Sequence, residues 1–426
     1  MSATSADRLA PAVLNRLEAG RAAARVLRRT SGNVKNAVLK EIALGLKTRA
    51  DEILKANTSD LATLRSDVAP AFRDRLTLTH ERLAQMGESL RQVAALPDPV
   101  GEVTSERLLA NGLKTKQVRS PLGVILMIFE SRPNVAVESF SLAFKSGNVI
   151  HLRGGKESMA STKVLYSVIT DALKTHGLPE ACVWGITDPD RKLVEQLLKE
   201  SRWIDVVVPR GGDSLIEFVV QNSRIPIIKN DRGMCHVYVH DDADLTMAAE
   251  IVFNAKTQRP GVCNAMETLL IHEKIASTFL PSVYAKLASK SVRWKACPRS
   301  LKILAGRDLV EPASDASFDT EYLDLILNVK VVATLEDALA HIESHGSRHS
   351  EAIITRSESV AREFQAEIDA AAVYWNASTR FTDGFELGLG GELGISTQKL
   401  HVRGPVGLRE LTSIRWVMDG EGQVRG

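Results

Sequence analysis

The stretch from Gly123 to Ile228 alternates short apolar runs with longer helical segments, and this alternation constrains the fold more than any other feature. The apolar runs fall at 124–129, 148–152, 182–185, 204–208 and 225–228. Helices are predicted between them, near residues 135–145, 157–175, 190–199 and 213–221. Near-continuous apolar strands separated by helices are typical of a parallel sheet that is covered on both faces. Such a sheet binds ligands at the carboxyl ends of its strands.

A second series of the same kind begins near Asp244. Strands are predicted at 268–271, 325–332, 352–355, 371–375 and 411–418, with helices ending near 254 and spanning 275–287, 335–345 and 360–368. The first hundred residues are rich in Ala and Leu and predict helices at 7–28, 33–55 and 79–95. The chain is therefore expected to belong to the α/β class.

A hairpin is predicted between the helical block and the first series. Residues 103–110 and 113–119 flank Asn111-Gly112, the strongest short-range hairpin signal. Both strands are polar on both faces, so we expect an arm that projects from the body of the protein.

Composition excludes several classes of partner. Fifty-four basic residues against 52 acidic ones leave a net charge of +2, so neither nucleic acid nor a membrane surface is an expected partner. The longest charge-free apolar run, 121–129, is far shorter than the ~20 residues that span a bilayer. The N-terminus has no apolar signal segment, and four scattered cysteines indicate a reducing compartment, so we expect a cytoplasmic protein. A length of 426 residues suggests two or three domains.

Cys263 is the main candidate nucleophile. It follows Pro260-Gly261, which predicts a turn between a helix and a strand. Lys256 and Arg259 lie nearby in sequence and could lower the pKa of the thiol. The alternative is a small buried hydrophobe, which is the expected role of Cys182, Cys235 and Cys297.

Candidate ligand groups follow the strands of the first series. Residues 130–134, which include Glu130, Arg132 and Asn134, follow the first strand. Arg153 to Lys156 and the turn with Gly211 and Gly212 each join a strand to a helix, and together they favour a dinucleotide. Arg259 and Arg380 lie beside turns, where an arginine either binds an anion or is simply solvated.

Two further patterns are rejected as sites. Residues 388–394 resemble a dinucleotide fingerprint, but Leu393 occupies the third glycine position and no strand–helix–strand unit follows. His341, His345 and His349 are spaced by four, but the pattern is not a zinc motif and Gly346 is expected to end the helix. No metal site is predicted.

Ten segments, in order over about 300 residues, carry a resemblance to a known family. They are 121–125, 129–133, 145–148, 208–212, 235–239, 254–260, 263–264, 267–270, 376–384 and 396–401. The chain resembles the aldehyde dehydrogenase superfamily and, within it, the branch that reduces L-glutamyl 5-phosphate.

The resemblance implies an aldehyde-dehydrogenase-like α/β fold of two Rossmann-like domains with parallel sheets and a small β oligomerisation arm. The NADP(H)-binding domain would comprise 1–100 and 121–241, and the catalytic domain with Cys263 would comprise 242–400. The arm would comprise 101–120 and 401–426, and a homodimer or homotetramer is expected.

The family reaction reduces the acyl phosphate with NADPH, through a thioester on the residue that corresponds to Cys263, to L-glutamate 5-semialdehyde and phosphate. Hydrolytic relatives carry a general-base Glu where this chain has Asn230, which is not a base. Their oxyanion Asn falls near Arg132, so Asn134 or backbone amides near Cys263 are the candidate oxyanion donors.

Comparison with relatives also assigns ligand groups. The Lys and Glu that hold the adenosine ribose in relatives fall at Arg153 and Lys156, and a basic residue there suits a 2′-phosphate, so NADPH is expected over NADH. Gly211 and Gly212 are the further cofactor candidates. Arg259 and Arg380, with Arg132, are candidates for the anionic groups of the substrate, and Glu130 or Asp383 for its ammonium.

Other readings remain open. The chain could be another thioester-forming aldehyde dehydrogenase that acts on an acyl-CoA or a simple aldehyde, or a non-catalytic binding module. The chain leaves no room for a kinase domain, so we expect a separate glutamate 5-kinase to supply the acyl phosphate, with transient contact between the two proteins.

Overall fold

The computed structural model describes residues 9–68, 70–229 and 232–425, which form two compact units. Unit 1 comprises Met1–Lys229, Gly388–Gly394 and Val406–Gly426. Unit 2 comprises Asn230–Leu387 and Ile395–Pro405. In the described part of the chain, no helix has the length and apolar character that crossing a membrane requires.

Unit 1 begins with a helical block. Its helices are α1 (Pro11–Leu27), α2 (Gly32–Thr48), α3 (Ala50–Ala62), α4 (Pro70–Leu76) and α5 (His80–Ala95). Ser31 and Thr79 cap α2 and α5 by accepting backbone N–H groups. The single helix predicted over 33–55 is wrong, because Arg49 leaves the helical conformation and separates α2 from α3. Its guanidinium instead donates to Glu52, Ser167 and Asp171.

The first sheet of unit 1 confirms the predicted parallel arrangement. Its strands are β3 (Val124–Phe129), β4 (Val149–Arg153), β5 (Val183–Gly185) and β6 (Val206–Arg210), in the order β5-β4-β3-β6. The intervening helices are α6 (Pro133–Lys145), α7 (Met159–Thr175), α8 (Arg191–Leu197) and α9 (Asp213–Asn222). The strand predicted at 225–228 is only a single bridge between Val207 and Ile227.

The predicted hairpin is confirmed and gains a third strand. Strands β1 (Val103–Leu108) and β2 (Lys114–Pro121) pair antiparallel, and Gly112 turns between them with φ +84°. The C-terminal strand β16 (Thr412–Asp419) pairs antiparallel with β2. Ile414, Trp416 and Met418 lie on one face of β16 and are all exposed.

Unit 2 is built on a seven-stranded parallel sheet. Its strands are β7 (Cys235–Val239), β8 (Met266–His272), β9 (Arg293–Ala296), β10 (Val310–Pro312), β11 (Ile326–Val332), β12 (Ser350–Ile354) and β13 (Ala372–Trp375). They lie in the order β10-β9-β11-β8-β7-β12-β13. Its helices are α10 (Leu245–Thr257), α11 (Glu273–Ala288), α12 (Pro298–Ile303), α13 (Asp315–Phe318), α14 (Leu335–His345) and α15 (Glu358–Glu367). A two-stranded pair, β14 (Ile395–Ser396) and β15 (Gly404–Pro405), completes the unit.

Candidate active site

Cys263 lies on the loop between α10 and β8 in unit 2. Asp244 caps the start of α10, and the helix ends at Thr257, three residues before Pro260. Cys263 is the one cysteine of the four that is not buried. A nucleophile has to be reachable by its substrate, and this half-exposed position meets that condition.

Asn264 joins the Cys263 loop to a second loop of unit 2. Its side-chain Nδ2 donates to the backbone carbonyl oxygen of Thr382 at 2.8 Å, and its backbone carbonyl oxygen accepts from the Thr379 hydroxyl at 2.7 Å. The Thr382 hydroxyl is in turn held by Tyr374 and Ser350, each at 2.7 Å. These bonds place the predicted residues Arg380 and Asp383 on a loop that is fixed beside Cys263.

Arg380 is half-buried, and its Nε donates to Gln258 Oε1 at 2.8 Å. Burial lowers the pKa of Arg380, a shift that the Asp383 and Cys263 charges oppose and that the like charge of Arg259 reinforces. The structure therefore brings these four predicted residues into one electrostatic neighbourhood. Arg259 is the exposed member of the group.

Two residues that sequence reasoning did not assign to the site, Gly233 and Cys235, contact the backbone of Cys263. Gly233 approaches it so closely that a Cβ on Gly233 would lie 1.7 Å from the Cys263 carbonyl oxygen and 2.5 Å from its Cα. The Cys235 thiol donates to the same carbonyl at 3.1 Å, and burial raises its pKa well above the ordinary value. Cys235 is buried, as the sequence predicts, and no local pattern indicates its contact with Cys263.

In unit 1, Glu130 closes the turn that carries Gly211 and Gly212. Its Oε1 accepts the Gly212 N–H at 2.8 Å, at the start of α9. A Cβ on Gly211 would lie 2.8 Å from the same oxygen. The amide that we expected to meet a phosphate is therefore occupied by a carboxylate in this structure.

The turn after β4 has different partners. Arg153 is half-buried and donates to the carbonyl oxygens of Gly154 and Pro189. Burial lowers its pKa, and the nearby acids Asp188 and Glu157 oppose that shift. Its buried Nε has no acceptor among the described residues. Lys156 is exposed.

The remaining predicted residues of unit 1 lie around the start of α6. Arg132 precedes the helix at the N-cap position, in extended conformation, and Pro133 opens the helix as predicted. Asn134, in the first turn, donates from Nδ2 to Glu138 Oε1 at 3.0 Å. Asn230, the position that corresponds to the general base, lies outside the described residues.

The three histidines spaced by four have separate partners. His341 Nδ1 lies 3.0 Å from Lys330 Nζ, His345 faces Asp319, and His349 faces Ser350. Gly346 ends α14 after His345, as predicted. The described residues contain one group with the composition of a metal site, His240 with Asp241 and Asp242, whose carboxylates bind Lys274 and Thr355.

The chain is similar to known proteins along nearly its whole length. Residues 3–296 match the model of the aldehyde dehydrogenase family. A gamma-glutamyl phosphate reductase from Carboxydothermus hydrogenoformans is 49% identical over 415 residues, which cover 97% of this chain and 99% of the relative. A second, from Moorella thermoacetica, is 50% identical over 406 residues, or 95% and 96% of the two chains. The crystal structure of gamma-glutamyl phosphate reductase from Thermotoga maritima matches with a TM-score of 0.94 and 45% identity, over 97% of this chain and all of that one.

Proposed function

The chain belongs to the aldehyde dehydrogenase family and, within it, to the gamma-glutamyl phosphate reductases, and from this premise we propose its mechanism. It is an oxidoreductase that serves proline biosynthesis. The proposal is that it reduces L-glutamyl 5-phosphate to L-glutamate 5-semialdehyde and phosphate through a thioester on Cys263, with NADPH as the reductant. This is the second step of proline biosynthesis from glutamate.

The observation that carries the proposal is the pair of bonds by which Asn264 fixes the Arg380 loop beside Cys263. The Cys263 thiolate attacks the acyl carbon, the bond to the phosphate oxygen breaks, and phosphate leaves. Arg380 and Arg259 supply positive charge for the phosphate and the α-carboxylate, and Asp383 or Glu130 accepts the ammonium. Arginine suits this task because its fork of N–H donors matches phosphate and carboxylate oxygens.

The tetrahedral oxyanion needs a hydrogen-bond donor. Asn134 gives one side-chain N–H to Glu138, and because an amide group has two such hydrogens, it keeps a second N–H and stays a candidate donor. The backbone amides of the turn that carries Cys263 are the other candidates. Collapse of the thiohemiacetal later expels the Cys263 thiolate and releases the aldehyde.

The turn after β4 fits a dinucleotide better than the turn after β6. Arg153 Nε is buried without an acceptor among the described residues, and Lys156 is exposed beside it. The Gly212 amide, by contrast, already binds Glu130. Arg153 and Lys156 would hold the adenosine ribose and its 2′-phosphate, with Gly211 and Gly212 in the turn after β6, at the same carboxyl edge of the sheet. NADPH, when bound, supplies the hydride that reduces the thioester.

We also propose that the chain forms a homodimer or homotetramer through the β1-β2-β16 sheet. Three exposed apolar side chains on one face of β16 (Ile414, Trp416 and Met418) support it, because such a face is costly to leave in water. Light scattering is the test, and a monomer at micromolar concentration would contradict it.

Four free cysteines agree with a reducing cytoplasm, and contact with a glutamate 5-kinase stays a prediction.

The reverse reaction tests the mechanism, because it avoids the labile acyl phosphate. Phosphate-dependent reduction of NADP+ by glutamate semialdehyde should fall more than about 10³-fold in Cys263→Ala. Cys182→Ala is the matched control, since that thiol is buried in unit 1. Activity that survives Cys263→Ala would end the covalent mechanism, and activity that needs CoA instead of phosphate would place the chain with the acyl-CoA enzymes.

A further inference from the structure

A buried ion pair closes the base of the Cys263 loop. Lys256, in the last turn of α10, and Glu267, the second residue of β8, flank the loop on either side. Lys256 Nζ lies 3.0 Å from Glu267 Oε2, and the two side chains are 0% and 1% exposed. The segment that carries the nucleophile therefore has its two ends joined by an ion pair.

The second oxygen of Glu267 holds another segment against the same loop. Glu267 Oε1 accepts the Leu323 N–H at 3.2 Å, and Leu323 has a positive φ of 53°. Glu321, two residues earlier, accepts the Gly233 N–H at 2.8 Å. The segment 321–323 therefore connects Glu267 to Gly233, the residue whose backbone lies against Cys263.

The 321–323 segment also approaches the loop directly. A Cβ placed on Gly261, two residues before Cys263, would lie 3.6 Å from the Leu323 carbonyl oxygen, which is van der Waals contact. Glu267 thus supports the loop in two ways, through its bond to Lys256 and through Leu323.

An ion pair in this place is expensive. Burial lowers the pKa of Lys256 and raises that of Glu267 to about 7, so both charged forms are disfavoured by their surroundings. Apolar residues of similar volume are often at least as stable as a buried ion pair. What apolar residues lack is the directional hydrogen bonding that fixes a loop end and a neighbouring backbone in one arrangement.

We propose that the Lys256–Glu267 pair positions Cys263 for attack, by closing the base of its loop and holding segment 321–323 against it. The inference rests on the proposed function, since it assumes that Cys263 is the nucleophile. Both residues act through the backbone around Cys263 and are positioning residues that do not touch the substrate.

Three variants separate positioning from folding: Glu267→Gln, Lys256→Met and the double variant Lys256→Met/Glu267→Met. Each single variant should lower kcat of the reverse reaction by about 10- to 100-fold, because small displacements of a reacting group are that costly. The KM for NADP+ should stay within about twofold. Alkylation of Cys263 by iodoacetamide, measured without substrate or cofactor, should slow in parallel, and the three buried cysteines limit the background.

The double variant decides the matter. It should recover Tm relative to the single variants, because no unpaired buried charge remains, while kcat stays low. Recovery of kcat together with Tm would overturn the proposal and leave the pair a purely structural role. Normal kcat and normal alkylation in all three variants would overturn it as well.

A matched control lies in unit 1, where the buried Lys35 binds Asp98 at 2.8 Å. Lys35→Met should lower Tm and leave kcat within about twofold, because that pair is not joined to the Cys263 loop. The proposed function fails independently if Cys263→Ala keeps its activity. If Cys263 is essential and the pair variants retain kcat, only the positioning role fails.

Discussion

Gly233 in unit 2 and Gly211 in unit 1 both leave no room for a side chain, but they face different kinds of neighbours. A Cβ on Gly233 would lie 1.7 Å from the backbone oxygen of Cys263. A Cβ on Gly211 would lie 2.7 Å from the end of the Leu215 side chain and 2.8 Å from a carboxylate oxygen of Glu130. Backbone cannot rotate out of the way, whereas the ends of Leu and Glu side chains can.

The difference shows how each unit keeps its functional loop in place. The Cys263 loop is held by backbone contacts, by Asn264 and by a buried ion pair, and these contacts need no ligand. The Gly211–Gly212 turn is closed by one carboxylate that a rotamer change can remove. We therefore expect substitutions that displace the Cys263 loop to act on kcat, and substitutions in the turns of unit 1 to act on cofactor binding.

The largest effect is expected for Gly233→Ala. The new methyl group has to displace the backbone of Cys263, so kcat/KM of the reverse reaction should fall at least about 100-fold. Gly87→Ala in α5 is the matched control, because the nearest atom to its methyl group would be 3.7 Å away. The control should keep its activity and gain about 0.5–1 kcal/mol in the free energy of unfolding. Near-normal activity of Gly233→Ala would show that the Cys263 loop can move to accommodate the methyl group. The proposed difference in rigidity between this loop and the Gly211–Gly212 turn would then be wrong.

Arg380→Ala comes next. Loss of a half-buried guanidinium beside Cys263 should cost about 3 kcal/mol in the transition state, or about 100-fold in kcat/KM, with a higher KM for phosphate. Arg380→Lys should recover only part of this, because lysine lacks the planar fork. Arg362→Ala, an exposed arginine of α15 that binds Glu358, is the control and should have no effect. An unchanged KM for phosphate in Arg380→Ala would remove the arginine from the anion site.

The sequence predicts the elements that local pattern determines. The continuous apolar run at 124–129 is β3 to the residue, and the helix predicted at 335–345 is α14, which ends at Gly346 as expected. The local pattern does not predict elements that involve contacts between residues far apart in the sequence. At the break between α2 and α3, Arg49 binds Asp171, 122 positions away, and β9 is a short, half-polar strand that is recognised only beside its partner β11.

The same division applies to the site. Pro260-Gly261 predicts that Cys263 lies on a turn, and the structure confirms that turn. The bond from Asn264 to Thr382 spans 118 positions, and no local pattern contains it. Lys256 shows the limit of reasoning from proximity in sequence: it lies near Cys263 along the chain, but its ammonium binds Glu267.

A moderate effect is expected for Lys156→Glu in unit 1. A carboxylate in place of the exposed ammonium should repel a 2′-phosphate, so the ratio of kcat/KM for NADPH over NADH should fall about tenfold, which corresponds to about 1.4 kcal/mol. Lys163→Glu makes the same charge change at another exposed position of unit 1, on α7, and should leave the ratio alone. If both variants give the wild-type ratio, Lys156 does not contact the phosphate.

Gly211→Ala should give the smallest effect and tests the comparison most directly. Because Leu215 and Glu130 can rotate away from the methyl group, kcat should change less than about twofold and the KM for NADP+ less than about fivefold.

Glu130→Gln keeps an oxygen that can accept the Gly212 amide, but it removes the negative charge from the start of α9, where the helix dipole favours anions. It should therefore change the binding free energy of NADP+ by less than about 1 kcal/mol. In the double variant Gly211→Ala/Glu130→Ala the crowded carboxylate is gone, so the two changes should be less than additive. A loss in Gly211→Ala as large as that in Gly233→Ala would mean that the turn is as rigid as the nucleophile loop, and that Glu130 holds it as firmly as the Lys256–Glu267 pair holds Cys263.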